Sequence, residues 1–495
     1  MSVFGFQETC FRVTAPCAES PSSTPSKASV PPISHHRSST PLAMFGIDNF
    51  DYIFDDAPDY KKRLTTPYTL PSATMKEIHE SIPAWCHEQS TTAALYYTTR
   101  MLLVGGICYT YGLRIPYLTQ FVIPYGPVAT FFAKWALWIN YWWWMSMVFG
   151  GFWTIAHDAG HMNLSPHRPL NNAIGWILHS FLLVPYYGWK YSHRLHHNAI
   201  NSIERDEYFC PPTRSQFSSY LVEHSHPPLP PRTVSEPSKY AEILEEAPIS
   251  ALVRLGIQQF FGLQAYFLVN VSGNVRYPAG TNHLTLGSAL FGPRASRAGI
   301  IASDIGLVLS FGLLGWYTYA TSFANLWRMY GVPYFLVNHW IVGIVYLQHN
   351  DPTVPHFRNH AWTYLRGFSC TVDRPFLGWQ GRFFFHNLGH DHTAHHVYSR
   401  MPFYNLPYAT EAIKKVMGDH YCHDNTNFMR SLYRNFRMCQ FIDDEGDVVF
   451  FRDSNGKQLR EIDDSVWDEL GKPVSATTPT SGEKVATGAE VADVE

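Results

Sequence analysis

The stretch WALWINYWWWMSMVFGGFWTIAHDAGH, Trp135 to His161, carries the pattern on which the fold turns. Its first 22 residues, Trp135 to Ala156, contain no charge, and a helix of that length crosses a hydrocarbon core about 30 Å thick. It ends in His157-Asp158-Ala159-Gly160-His161. On a helix, residues i and i+4 share a face, so both imidazoles leave the apolar segment aimed at one spot. An apolar helix thus delivers paired metal-ligand side chains to its own end.

Two further clusters repeat the theme: His193-Arg194-Leu195-His196-His197 and His392-Thr393-Ala394-His395-His396. In each, positions i, i+3 and i+4 are expected to converge, so that eight imidazoles meet. With 25 histidines in 495 residues, one such cluster is weak evidence, but three, each just beyond an apolar segment, are a strong signal. Eight titratable rings clustered without a metal would cost solvation and gain nothing. His179, His339, His283 and His420 stand alone and are read as interfacial or hydrogen-bonded residues. Two candidates exist for a ninth ligand: His349, at the end of the last apolar segment, and His386, six residues before the third cluster. His349 ranks first, because a helix end at the membrane surface aims it at the same pocket. Asp158, Asp206, Asp373 and Asp391 are candidate acceptors that orient ligand rings, against the alternative of solvated loop carboxylates.

The ligand type and number restrict the metal. Zinc saturates at four ligands in structural sites and at three plus water in catalytic ones, so eight histidines imply two ions. The second cluster also lacks the glutamate of the H-E-x-x-H zinc hydrolases. A redox pair is therefore preferred: two Fe ions, with O₂ as co-substrate, yielding an oxidant able to attack an unactivated methylene. No catalytic residue beyond the metal ligands is singled out.

Composition agrees with a lipid setting. Hydrophobic residues make up 46% and aromatics 16%, while charged residues fall to 16% against about 25% in ordinary soluble domains. A net charge of −3 gives no basic face for nucleic acid. The eight cysteines form no C-x-x-C pair, which excludes a zinc ribbon or a disulfide scaffold and fits a reduced, cytosol-facing setting.

The chain is predicted to be an all-α membrane protein with about four transmembrane helices in two hairpins, further interfacial helices and a cytosolic cap of histidine clusters. Between Ala93 and Ala156 the only charges are Arg100, Arg114 and Lys134, giving the first hairpin. Ile305 to Thr321 and Gly331 to Leu347, separated by a polar joint at Asn325 and Arg328, give the second. Asn171 to Trp189 and Gly256 to Val271 are weaker, re-entrant or interfacial candidates. Pro211 to Pro237 is a Pro-rich loop. Residues 1–65, rich in Ser, Pro and Thr, and residues 456–495 are predicted to be disordered tails, the first with an organellar transit peptide as a second reading. Four spans place both termini and every histidine cluster on one side of the bilayer.

At this point the residues resemble the membrane-bound acyl-lipid fatty acid desaturases, in particular the delta-12 (omega-6, oleate) branch of fungi and plants. The likeness extends beyond the clusters to Trp189-Lys190-Tyr191-Ser192-His193, Glu204-Arg205-Asp206-Glu207, Tyr346-Leu347-Gln348-His349, Asp351-Pro352, Pro355-His356, Thr371-Val372-Asp373-Arg374, Phe385-His386-Asn387 and Ser399-Arg400-Met401-Pro402. It covers roughly Tyr68 to Phe451, within a membrane desaturase domain set at 66–455. The resemblance implies multi-pass residence in the endoplasmic reticulum and a long-chain fatty acyl lipid substrate. It also implies electrons from NADH through cytochrome b5 reductase and cytochrome b5, and metal-ligand roles for His157, His161, His193, His196, His197, His392, His395 and His396. No His-Pro-Gly-Gly motif occurs, so the donor is a separate protein. The family usually has Glu-Cys-Gly where this chain has Asp158-Ala159-Gly160, and Arg-Arg where it has Arg194-Leu195. The expected activity is insertion of a cis double bond near carbon 12 of an oleoyl chain. An acetylenase, hydroxylase or conjugase on the same scaffold is the rival within enzymes, and a non-redox membrane zinc hydrolase or metal-binding receptor is the rival from another class.

Overall fold

The computed structural model describes residues 52–217 and 248–471. It is mostly helical; the named strands are the two-residue pair His356–Phe357 and Val448–Val449, antiparallel to each other. Helix α1, Thr91–Gln120, and helix α2, Pro127–Gly160, are joined by a tight turn at Ile123–Tyr125. They form the first hairpin. Ser90 caps α1 by accepting from the Ala93 amide, and the Thr91 and Ser165 hydroxyls, 2.8 Å apart, tie the start of α1 to the chain just beyond α2. Gly150 and Gly151 let α2 approach its neighbours, since a Cβ at Gly150 would lie 2.4 Å from the Phe385 ring.

Two shorter helices follow, α3, Arg168–Phe181, and α4, Tyr186–Ala199, separated by Leu182 to Pro185. At 14 residues each they are too short to cross a bilayer, and Pro185, lacking an amide hydrogen, sits at the break. Helix α5 is Pro248–Val269, and α6 is Arg297–Ala320. Helix α7 runs continuously over Phe323–His349 with a π-type turn at Trp327–Gly331. The joint between α6 and α7 is therefore Thr321–Ser322, where the Ser322 hydroxyl accepts from the Asn325 amide. Asn325 and Arg328, expected to form that joint, lie inside the helix.

Helices α6 and α7 are both long and apolar enough to cross a membrane. They use that character differently: α6 is largely unburied, whereas α7 lies mostly inside the protein against α2 and α5. Exposed apolar side chains also line the first hairpin, including Leu103, Ile107, Val128 and Phe132. The core follows α2 from Met145 to Ala159; α9, Leu406–Met417, packs on α8, His392–Val397, and on the helix Met75–Ser81, and α10, Phe428–Met438, packs on α5 and α7.

The described structure extends past residues 66 and 455, the bounds expected for the domain. Residues 1–51, 218–247 and 472–495 lie outside the described part, as does most of the Pro-rich link. Pro58–Thr65, however, is a helix whose Tyr60 and Arg63 are buried; the Arg434 guanidinium lies 3.4 Å over the Tyr60 ring. Near the other end, the Tyr68 amide bonds the Glu461 carbonyl at 2.8 Å, and Asp464–Leu470 is helical. These segments order because their aromatic and charged groups find buried partners that sequence spacing does not reveal. The six described cysteines are free.

Candidate metal centre

Helices α2, α4, α7 and α8 each bring histidines to one place. α2 supplies His157, with His161 at its C-cap; α4 supplies His193, His196 and His197; α7 ends on His349; and α8 carries His392, His395 and His396. The rings fall into two adjoining groups. The ligand atoms of His157, His161, His193, His197 and His395 lie within 4.8 Å of one another, as do those of His196, His349 and His396. His392 joins the second group, its Nε2 being 3.1 Å from both the His349 and His396 Nε2 atoms.

Sequence spacing had the three positions of each cluster converging, but the structure divides them. At about 100° per residue, i+4 falls about 40° to one side of i and i+3 about 60° to the other. Thus His193 and His197 face the first group while His196 faces the second, and His392 and His396 face the second while His395 faces the first.

The rings are packed in a way that calls for a cation. His193 Nε2 lies 2.9 Å from the Nε2 atoms of both His157 and His161, and 3.1 Å from that of His197. One ring nitrogen carries at most one hydrogen and cannot satisfy three neighbours. Spacings of 2.9–3.1 Å are those of adjacent nitrogens on a metal ion bonded at about 2.1 Å. Burial and the neighbouring imidazoles hold His193, His197, His392 and His396 well below the ordinary histidine pKa, and His395 is pushed down to about 3. Burial thus favours the neutral form of these five rings, the form whose lone pair can bind a metal.

Two carboxylates fix ring orientation. His196 Nδ1 donates to Asp206 at 2.6 Å, leaving its buried Nε2 aimed into the second group without a hydrogen-bond partner. Asp206 is itself held by the amides of Asn201, Glu207 and Tyr208. His157 Nδ1 donates to Asp158 at 3.0 Å. The other two aspartates act differently. Asp373 accepts from the Thr393 amide at 2.8 Å, capping α8, and burial pushes its carboxyl up to about 7. Asp391 lies 3.6 Å from the Arg382 guanidinium and touches no ligand ring.

His386 stands apart from both groups, with Nδ1 2.8 Å from the Thr154 hydroxyl and Nε2 3.0 Å from Arg100. The solitary histidines also lie outside: His339 meets Gln259, His283 meets Ser192 and His420 meets Thr69, while His179 packs among the Trp153, Trp189 and Tyr186 rings. Sequence reasoning missed the aromatic floor. Trp153 stacks on His157 and Trp189 on His193, at 5.3 and 4.6 Å between centroids. Both pairs are i, i+4, a spacing that was available to find them.

Beside the rings a cavity of about 380 Å³ opens between α5 and α7. His157, His193, His196, His349 and His392 form its inner end, so it touches both groups. Its walls are apolar: Phe261, Leu263, Ile341, Val342, Val345 and Leu388. An apolar slot ending on clustered imidazoles suits an aliphatic substrate.

Comparison with known proteins agrees with this chemistry. The sequence model described as fatty acid desaturase matches residues 133–428. A delta(12) fatty acid desaturase of Mortierella alpina is 39% identical over 393 residues, 78% of this chain and 92% of the relative. The delta(12)-fatty-acid desaturase of Arabidopsis thaliana is 34% identical over 392 residues, 79% of this chain and 92% of the relative. An oleate hydroxylase of Claviceps purpurea is 34% identical over 414 residues, 78% of this chain and 82% of the relative. The chain belongs to the fatty acid desaturase family. It is an oxidoreductase whose likeness is to the delta-12 branch, as the residues quoted from the sequence implied.

Proposed function

We propose that the protein is a di-iron acyl-lipid desaturase that uses O₂ to place a cis double bond at the delta-12 position of an oleoyl chain. The observation that carries this is the apolar cavity ending on histidines of both groups. One ion would be held by His157, His161, His193, His197 and His395, the other by His196, His349, His392 and His396. A bound iron pair supplies O₂ reduction and the oxidant for an unactivated C–H bond. Overall, two hydrogens leave adjacent methylenes, and with two electrons and two protons from outside the four-electron reduction of O₂ to two waters is complete.

The protein's own part is positioning. Phe261, Leu263, Ile341, Val342 and Val345 hold the chain and exclude water, and Trp153 and Trp189 brace His157 and His193. Asp206 keeps the proton on His196 Nδ1, which presents Nε2 to the metal. Helices α1, α2, α6 and α7 form the four spans. The histidine groups face the cytosol at the endoplasmic reticulum, where cytochrome b5, reduced by its NADH-dependent reductase, supplies the electrons.

The test is expression in a host that makes oleate but no polyunsaturated acids, followed by fatty acid profiling and metal analysis. Linoleate with two irons per chain is the expected result. A hydroxy acid would favour the hydroxylase reading, which the Claviceps relative supports. An unaltered acyl profile with stoichiometric zinc would end the redox reading.

A further inference from the structure

Away from its histidine end the cavity is lined mainly by apolar side chains, with the charged Arg254 among them. Helix α5 lines it with a stripe at three- and four-residue spacing that begins at Arg254, continues through Ile257, Gln258 and Phe261, and ends at Ala265. That is about 16 Å of helix. The next residue, Tyr266, packs on Tyr208, whose ring lies against His196, so the far end of the stripe is the histidine end. Ile257 and Phe261 are 58% and 52% exposed. The slot therefore opens sideways through an apolar rim, with a cation at its outer end.

Arg254 also lines a second, small polar pocket with Arg437, Gln440 and Ser454. The cations of α10 are treated unequally. Arg430 and Arg434 pair with Asp56, and Arg434 also with Asp424. Arg254 and Arg437, by contrast, have no carboxylate partner among the described residues; each lies beside an aromatic ring, Phe436 and Tyr433, at 5.8 and 6.0 Å. Two guanidiniums without a carboxylate partner among the described residues, beside the Ser454 hydroxyl and a Gln440 amide that gives one hydrogen to the Phe436 carbonyl, suit an anion presenting several oxygens, such as a phosphate.

We infer that the Arg254–Arg437–Gln440–Ser454 pocket binds the phosphate of the group that carries the acyl chain, while the chain itself enters the apolar slot. This rests on the reading of the slot as an acyl site. Phosphate is present both in a membrane phospholipid and in a soluble nucleotide-linked thioester, and the lateral, apolar rim favours the phospholipid.

The test is lipid binding rather than turnover. Native mass spectrometry of the purified full chain would measure affinity for dioleoylphosphatidylcholine, oleoyl-coenzyme A and neutral dioleoylglycerol, in wild type and in R254Q, R437Q and R254K. Loss of one charge-assisted hydrogen bond weakens binding at least about tenfold. Weaker phosphatidylcholine binding in both Gln variants, partial recovery in R254K and unchanged dioleoylglycerol binding support the site with a phospholipid as its source. The same pattern for oleoyl-coenzyme A alone assigns the phosphate to the soluble carrier. Unchanged affinity for both phosphate-bearing ligands, or equal weakening of all three, overturns the inference. These affinities are read whether or not the bound chain is oxidised, so a failure of the desaturase reading would show separately.

Discussion

His197 and His396 stack with ring centroids 4.1 Å apart and an interplanar angle of 18°, yet they belong to different ligand groups. The contact is the seam between the two centres. On the proposed assignment, removing either ring takes one ligand from one ion and leaves the other group complete. H197A and H396A are each expected to retain about one iron per chain instead of two and to lose product formation, checked by elemental analysis and fatty acid profiling. Retention of two irons in both variants would refute the assignment of these rings.

Asp206 holds the His196 ring through a 2.6 Å hydrogen bond and is itself fixed by three backbone amides. D206N keeps the shape but loses the charge and one of the two acceptor oxygens, so its NH₂ faces an N–H donor that the carboxylate had accepted from. Metal affinity should fall about 10- to 100-fold with little change in helix content. Metal titration alongside circular dichroism reads both quantities.

Among the described residues, the His386 ring nitrogens meet Thr154 and Arg100. H386A should therefore keep two irons per chain, whereas H349A should lose one. Comparing the metal content of the two variants decides which histidine completes the set.

Arg374 is buried between two carboxylates, Asp351 at 2.7 Å and Asp424 at 2.6 Å. R374M leaves both anions less compensated inside the protein, a loss of about 3–5 kcal/mol. Thermal unfolding in detergent measures it.

Burial alone would raise the Asp424 pKa, but Arg374, Arg434 and Arg63 outweigh it and hold the carboxylate well below its ordinary value. A group depressed in this way adds stability that is complete above its unfolded pKa of about 3.9, and that is lost as pH falls from there toward the folded value. The difference in melting temperature between wild type and D424N should thus be constant from pH 7 to about pH 4 and shrink below it. A difference that shrinks already between pH 7 and pH 5 would contradict this origin.

Much of the molecule is legible in one dimension because its signals are local. The uncharged run from Trp135 to Ala156 specifies a long apolar helix whatever surrounds it, and clusters such as His193–His197 mark candidate ligand positions by spacing alone. The expected tails were less legible: Tyr60 meets Arg434, and the Glu461 carbonyl meets the Tyr68 amide, each hundreds of residues away. No local pattern reports such partners.

The sequence by itself determined which side chains are available for metal and that helices present them, since both follow from residue type and the helical repeat. Tertiary structure alone decided the division into five and four imidazoles. A helix offers its i+3 and i+4 positions in directions about 100° apart, and only the placement of α2, α7 and α8 around α4 settles which centre each direction meets. The same placement made orienting groups of Asp158 and Asp206 and a helix cap of Asp373, because a carboxylate's role depends on the donor it meets across space.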